Sequence, residues 1–179
     1  CATNKIKMRT RFKKFNVPCP DFFGVWSYNE ALEAFKKLTK PVVVKPADNM
    51  GARGVKRIEK EEDLPFAFES AKKNSPSGEV VIEEYMDGDE LSIDSLVIGD
   101  EVHICGVADR IIERAPYFIE IGHVMPSQKN PEILKQAVEV MKQGIKALGI
   151  TIGAAKGDIK ITSSGPKIVE LAARLSGGF

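Results

Sequence analysis

Asp158 and Glu170 are the pair of side chains in this sequence whose spacing most directly implies chemistry. In Asp158-Ile159-Lys160-Ile161-Thr162 polar and apolar residues alternate, so Asp158, Lys160 and Thr162 share one face of a strand. A loop of Ser163-Ser164-Gly165, with Gly165 in the left-handed place of a three-residue turn, pairs Thr162 with Pro166. Continuing that register puts Asp158 directly opposite Glu170. Like charges so placed repel. A divalent cation turns the repulsion into binding, because Mg²⁺ is held by one or two carboxylates together with phosphate oxygens. The competing reading is a pair of solvated acids, or a register slipped by a bulge.

Lys45 is a second candidate. It closes the apolar run Val42-Val43-Val44 and precedes Pro46. A lysine there can contact phosphates, or simply carry its ammonium out to water. Shortly after it, Gly51 and Gly54 allow the backbone to bend close to a ligand, with Arg53 adding a charge between them. The segment is neither a Walker A loop nor a Gly-x-Gly-x-x-Gly loop. The third candidate is Glu83-Glu84-Tyr85-Met86-Asp87-Gly88-Asp89-Glu90. A strand that breaks at Gly88 offers backbone groups to an adenine edge, and Glu90 beyond the break can accept ribose hydroxyls. An acidic surface hairpin is the alternative.

These residues need elements to hold them. Residues 5–15 predict a short helix, ended at Asn16 with Pro18 and Pro20 preventing its resumption. Ser27 and Glu30 have capping-box spacing, ahead of an apolar stripe of Ala31, Leu32, Phe35 and Leu38. Short strands are expected at 42–45, 55–58, 79–85, 90–98 and 101–109, with Gly99-Asp100 as a two-residue turn. A helix is expected near 61–73. Another is expected over 131–148, capped by Asn130, started by Pro131 and stopped at Gly149. Two last strands, near 154–162 and 166–172, complete an α+β pattern of mainly antiparallel hairpins.

Composition is that of a globular chain: 179 residues, 43% hydrophobic and 28% charged, with a net charge of +1. Nothing in that balance calls for nucleic acid or an anionic membrane. The one basic run, Lys5, Lys7, Arg9, Arg11, Lys13 and Lys14, reads as a solvated helix face, since no aromatic platform is interleaved. No apolar run is long enough to span a bilayer. Cys1, Cys19 and Cys105 fit neither a disulfide framework nor metal-ligand spacing, which favours a reducing cytoplasm. A first residue other than Met, and an end in Ser176-Gly177-Gly178-Phe179, suggest a piece of a longer enzyme.

In order along the chain, four segments resemble motifs of the ATP-grasp superfamily. They are Val42 to Pro46, Gly51 to Val55, Ile82 to Glu90 and Glu170 to Gly178. The likeness covers nearly the whole chain and is nearest to the branch of carbamoyl phosphate synthases, biotin carboxylases and L-amino acid ligases. It implies an α+β ATP-grasp fold, two small lobes with antiparallel sheets gripping ATP. Linker helices would occupy 1–40, the small lobe 41–88, and a truncated large lobe 89–179. By resemblance, Lys5 and Lys45 contact the phosphates under the Gly51–Arg53–Gly54 loop. Glu83, Glu84 and Met86 meet adenine, the last two largely through backbone groups, and Glu90 holds the ribose. Asp158 and Glu170 bind Mg or Mn, Arg174 stabilises the transferred phosphoryl group, and His123 in Glu120-Ile121-Gly122-His123 lies near the substrate. One departure is Ala172, where the family often has Asn. The implied function is an ATP-dependent carboxylate–amine ligase working through an acyl phosphate, its partners a small carboxylate and an amine or other nucleophile, with room for a homodimer of the full-length protein. A non-catalytic nucleotide-binding module is the alternative, and a plain α+β interaction domain is the third reading.

Overall fold

The structure is a computed structural model and describes residues 2–49, 51–113 and 118–177. Its longest helix, α4 (Pro131–Leu148), has clear local causes: Asn130 accepts a hydrogen bond from the Glu132 amide, Pro131 opens the first turn, and Gly149 ends it at φ +72°. Ala137, Met141 and Ile145 recur on one face and are all but fully buried. Burying each of the larger two is worth about 1.5–3 kcal/mol. They pack into one core with Met8 and Phe12 of α1 (Lys5–Lys14) and with strand residues Leu91, Ile93, Ile159, Ile168 and Leu171.

That core lies under a five-stranded antiparallel sheet of β5 (Asp89–Ile98), β6 (Glu101–Glu113), β7 (Ile119–Val124), β8 (Ile152–Thr162) and β9 (Gly165–Ala172). The spatial order is β7-β6-β5-β8-β9. Because strand side chains alternate, the face opposite the core collects Glu90, Ser92, Asp94, Arg110, Lys156, Asp158 and Lys160.

A four-stranded antiparallel sheet forms a second layer from β1 (Phe22–Val25), β2 (Val42–Pro46), β3 (Lys56–Ile58) and β4 (Val80–Glu84), in the order β1-β4-β2-β3. Val42, Val44, Val80 and Ile82 turn inward, against α2 (Tyr28–Lys37) and α3 (Leu64–Lys73). Lys45 and Glu83 are on the other face, with β2 and β4 paired Val43 to Glu83 and Lys45 to Val81. The Ser27–Glu30 capping box starts α2 as expected.

Residues 1–40 are not a run of linker helices. Within that stretch β1 pairs with β4, α2 fills the core of the four-stranded sheet, and α1 packs under the other sheet. The expected helix near 61–73 divides into a short 3-10 turn at Glu61–Asp63 and then α3. Strand β6 runs to Glu113 rather than stopping near 109, and β7, unforeseen, pairs with its extension.

The hairpin of β8 and β9 differs from expectation in one instructive way. Thr162 pairs with Gly165, and Ile161 with Pro166, so the turn is one residue tighter than anticipated. A bulge between Ile168 and Glu170 then restores the register, and Asp158 does stand opposite Glu170. The tighter turn and the bulge offset one another, one residue each.

Candidate functional site

Two clusters of charge lie on the polar sides of the two sheets. The first is centred on Glu83, 3% exposed. Its Oε1 accepts a short hydrogen bond from Lys45 Nζ, while its Oε2 accepts from Arg9 Nε at 3.2 Å and Arg9 Nη2 at 3.1 Å. Burial pushes the Glu83 carboxyl up, but the charges of Arg9 and Lys45 outweigh it and hold the group below the usual carboxylate range. Burial lowers the Lys45 ammonium, with Glu83 opposing. Lys5, one helical turn before Arg9, donates to Asn49 O at 2.8 Å and lies 3.8 Å from Glu170 Oε1.

The solvated helix face expected from the basic run is therefore only half right. Lys5 is 8% exposed and Arg9 is fully buried, because α1 lies along the seam between the sheets. Nothing local marks Arg9 as buried, since its partners are distant in sequence.

The second cluster surrounds Asp158. Arg110 Nη1 (3.2 Å) and Lys156 Nζ flank its buried Oδ1 as ion-pair partners. Burial raises the Asp158 pKa against the pull of Lys156 and Arg110, and Glu170 adds to the rise. Arg110 also pairs with Glu90 and donates to Glu120 through Nε at 2.7 Å. Burial likewise raises Glu90, opposed by Arg110. Lys156 faces Ala172 across the strand pair. Arg110 and Lys156 were not foreseen as site residues. Their alternation in phase with Asp158 and Glu90 was the available signal.

A cavity of about 380 Å³ opens at the joint between β4 and β5, lined by Glu84, Tyr85, Met86, Gly88 and, from the β8–β9 turn, Thr162 and Ser164. Lys167 crosses its edge to Glu84 at 3.4 Å. The Glu84 and Tyr85 amides are already bonded to Asp21 O and Pro41 O. Of the four residues expected at a nucleotide's base and ribose, Glu84 and Met86 line this cavity. Glu83 does not, its carboxylate being turned to Lys45 and Arg9. Glu90 does not either, being held by Arg110 and by Lys160 at 3.7 Å.

Gly51 and Gly54 take positive φ, +74° and +72°, and Arg53 between them is exposed. His123 is paired with Glu120 at 3.6 Å and borders a small hollow with Ser92, Asp94, Met125 and Ser176. Arg174 does not join the acidic pair: it is exposed beyond β9 and donates to Leu175 O at 2.7 Å. Among the described residues no group of three or more His, Cys, Asp or Glu side chains is set to enclose a metal, and Asp158 and Glu170 face one another as a pair.

The family model described as the ATP-grasp domain matches residues 2–178. The chain belongs to the ATP-grasp family. Among ATP-grasp relatives, the phosphoribosylamine–glycine ligase of Methanocaldococcus jannaschii is 32% identical over 200 residues, covering 96% of this chain and 44% of that protein. The carbamoyl phosphate synthase large chain of Clostridium botulinum (strain Loch Maree) is 28% identical over 160 residues, 89% of this chain and 15% of that one. The crystal structure of the L-amino acid ligase from Bacillus licheniformis superposes with a TM-score of 0.84 at 26% identity, over 98% of this chain and 41% of that one. This ATP-grasp chain thus spans less than half the length of these relatives. No helix among the described residues is long and apolar enough to cross a membrane.

Proposed function

We propose that the chain is the ATP-binding core of an ATP-dependent ligase that joins a small carboxylate to an amine or related nucleophile. The observation that carries this reading is the facing pair Asp158 and Glu170, with Lys5 of the Lys5–Lys45–Arg9 cluster 3.8 Å from Glu170. The names of two relatives, a phosphoribosylamine–glycine ligase and an L-amino acid ligase, support the reaction class.

Two opposed carboxylates completed by phosphate oxygens fit Mg²⁺. Bound there, the metal would neutralise charge on the transferring phosphoryl group. The residues of the chain would do the rest. Met86 and Glu84 would line the base, with Met86 offering the backbone edge that the bonded Glu84 and Tyr85 amides do not. Lys5 and Lys45 would hold the phosphates, Lys45 exchanging part of its contact with Glu83 for one with a phosphate oxygen. Arg110 and Lys156, already beside Asp158, would hold developing negative charge in a site with little water. Gly51 to Gly54 would close over the phosphates. The substrate carboxylate oxygen would attack the γ-phosphorus and ADP would leave. The amine would then attack the acyl carbon and phosphate would leave, its surplus proton passing to a neighbouring base. Cytoplasmic location and a homodimer of the whole protein fit this reading.

The test is ADP and phosphate release by the full-length protein with a panel of carboxylates and amines. Release that requires both substrates and a divalent cation is expected. Tight ATP binding with no release under any pairing would move the reading to a non-catalytic nucleotide-binding module.

A further inference from the structure

The bulge in β9 decides which way Glu170 points. Below it, Ile159 pairs with Ile168; above it, Asp158 pairs with Glu170, and Val169 has no partner in β8. Without the extra residue, Asp158 would face Val169, and Glu170 would lie opposite Gly157. Side chains opposite one another share a face. Gly157 lies on the core side, where a Cβ would come within 2.2 Å of Met141 Sδ. An unbulged β9 would thus drive Glu170 into the apolar core and lift Leu171, now fully buried, out of it.

A bulge leaves backbone groups without ladder partners, and buried carbonyls left so are costly. At this bulge the donors come from a single side chain. Arg9 Nη2 donates to Val169 O at 2.6 Å and Arg9 Nη1 to Ile168 O at 3.1 Å. The guanidinium is itself fixed from the other side by Glu83, which also holds Lys45. Among the described residues β9 is an edge strand, with no neighbouring strand to compete for these carbonyls. The Ile168 amide, on the same edge, donates to Pro18 O at 2.9 Å.

We propose that Arg9 is the positioning residue of the acidic pair: its two hydrogen bonds to the Ile168 and Val169 carbonyls hold the β9 bulge and thereby aim Glu170 at Asp158. Arg9 touches neither reacting atoms nor metal. Through Glu83, it also ties the placement of Glu170 to that of Lys45, so the phosphate lysine and the carboxylate pair are set by one buried guanidinium. Lysine cannot replace it, because one ammonium does not present the planar fork that spans two carbonyls and a carboxylate. The inference rests on reading Asp158 and Glu170 as the metal pair.

The experiment compares Arg9→Lys, and the double variant Arg9→Met/Glu83→Gln that leaves no bare buried carboxylate, with wild type and Glu170→Gln. One measurement needs no metal: cross-strand nuclear Overhauser contacts between residues 158 and 170. Another is the Mn²⁺ concentration that half-saturates the protein in the presence of ADP, read by electron paramagnetic resonance. Both Arg9 variants are expected to lose the 158–170 contacts and to raise the Mn²⁺ half-saturation by about 10- to 100-fold, the usual effect of losing a residue that orients a ligand. Glu170→Gln should weaken Mn²⁺ while keeping the contacts, and Arg9→Lys/Glu170→Gln should be hardly weaker than Glu170→Gln alone. Persistence of the 158–170 contacts in the Arg9 variants overturns the proposal, as does additive weakening of Mn²⁺. If wild type binds no Mn²⁺, the metal reading fails, and the contact pattern alone still decides the role of Arg9 in the bulge.

Discussion

Glu83 shows how much can hang on one carboxylate. It sits in the four-stranded sheet, receives Lys45 and Arg9, and through Arg9 reaches the edge of the other sheet. Breaking a buried ion pair by removing one partner leaves the other charge uncompensated, at a cost of about 3–5 kcal/mol. Glu83→Gln is therefore expected to lower stability by an amount in that range at neutral pH, measured by urea denaturation. The pH dependence has a definite sign. Because the folded-state pKa of Glu83 is depressed, its stabilisation is complete above the ordinary carboxylate value of about 4.3 and is lost as pH falls through the lower folded value. The gap between wild type and Glu83→Gln should narrow below about pH 4. A gap that stays constant down to the acid transition would mean that the charge of Glu83 does not matter. Sequence could not reveal this hub, because Arg9 and Glu83 are separated by 74 residues and Arg9 and Val169 by 160.

At the scale of elements, what could be read from the sequence was what short-range rules control. Helix α4 announces itself through Asn130, Pro131, a periodic apolar face and Gly149, and α2 through the Ser27–Glu30 box. Removing that box by Ser27→Ala should cost about 0.5–2 kcal/mol, measured as a shift in the urea midpoint at unchanged slope. Strand β1 was not legible, since four residues after Pro18 and Pro20 carry no period of their own and become a strand only by pairing with β4. The β8–β9 register was half legible: alternation placed Asp158 on the polar face, but the bulge answers to Arg9, outside the hairpin. The joint between the sheets depends on Gly88, at φ +122°, where an added Cβ would lie 2.0 Å from Ile161 O. Gly88→Ala should cost at least the 1–3 kcal/mol typical of a side chain forced into such a conformation, and should distort the cavity beside Met86. Unchanged stability and unchanged ATP affinity in that variant would remove the joint from the site.

On the scale of the whole molecule, helices cover one face of each sheet, and the polar faces that remain carry charges of both signs: Lys45 and Glu83 on one, and Glu90, Arg110, Lys156, Asp158 and Lys160 on the other. Helix α1 joins them: its amide at Lys5 bonds Ala47 O, its Phe12 lies in the core of the five-stranded sheet, and Arg11 bonds Ala147 O near the end of α4. Such an arrangement places the cavity beside Met86, the Lys45–Glu83–Arg9 cluster and the facing pair Asp158 and Glu170 along one seam. Calorimetric titration of ATP into the protein, with and without Mg²⁺, tests that arrangement most directly when wild type is compared with Asp158→Asn/Glu170→Gln. Binding that tightens with Mg²⁺ in wild type, and loses that dependence in the double variant while the protein stays folded, is the expected result. Equal affinity with and without Mg²⁺ in wild type, or an Mg²⁺ dependence that survives in the double variant, would contradict it.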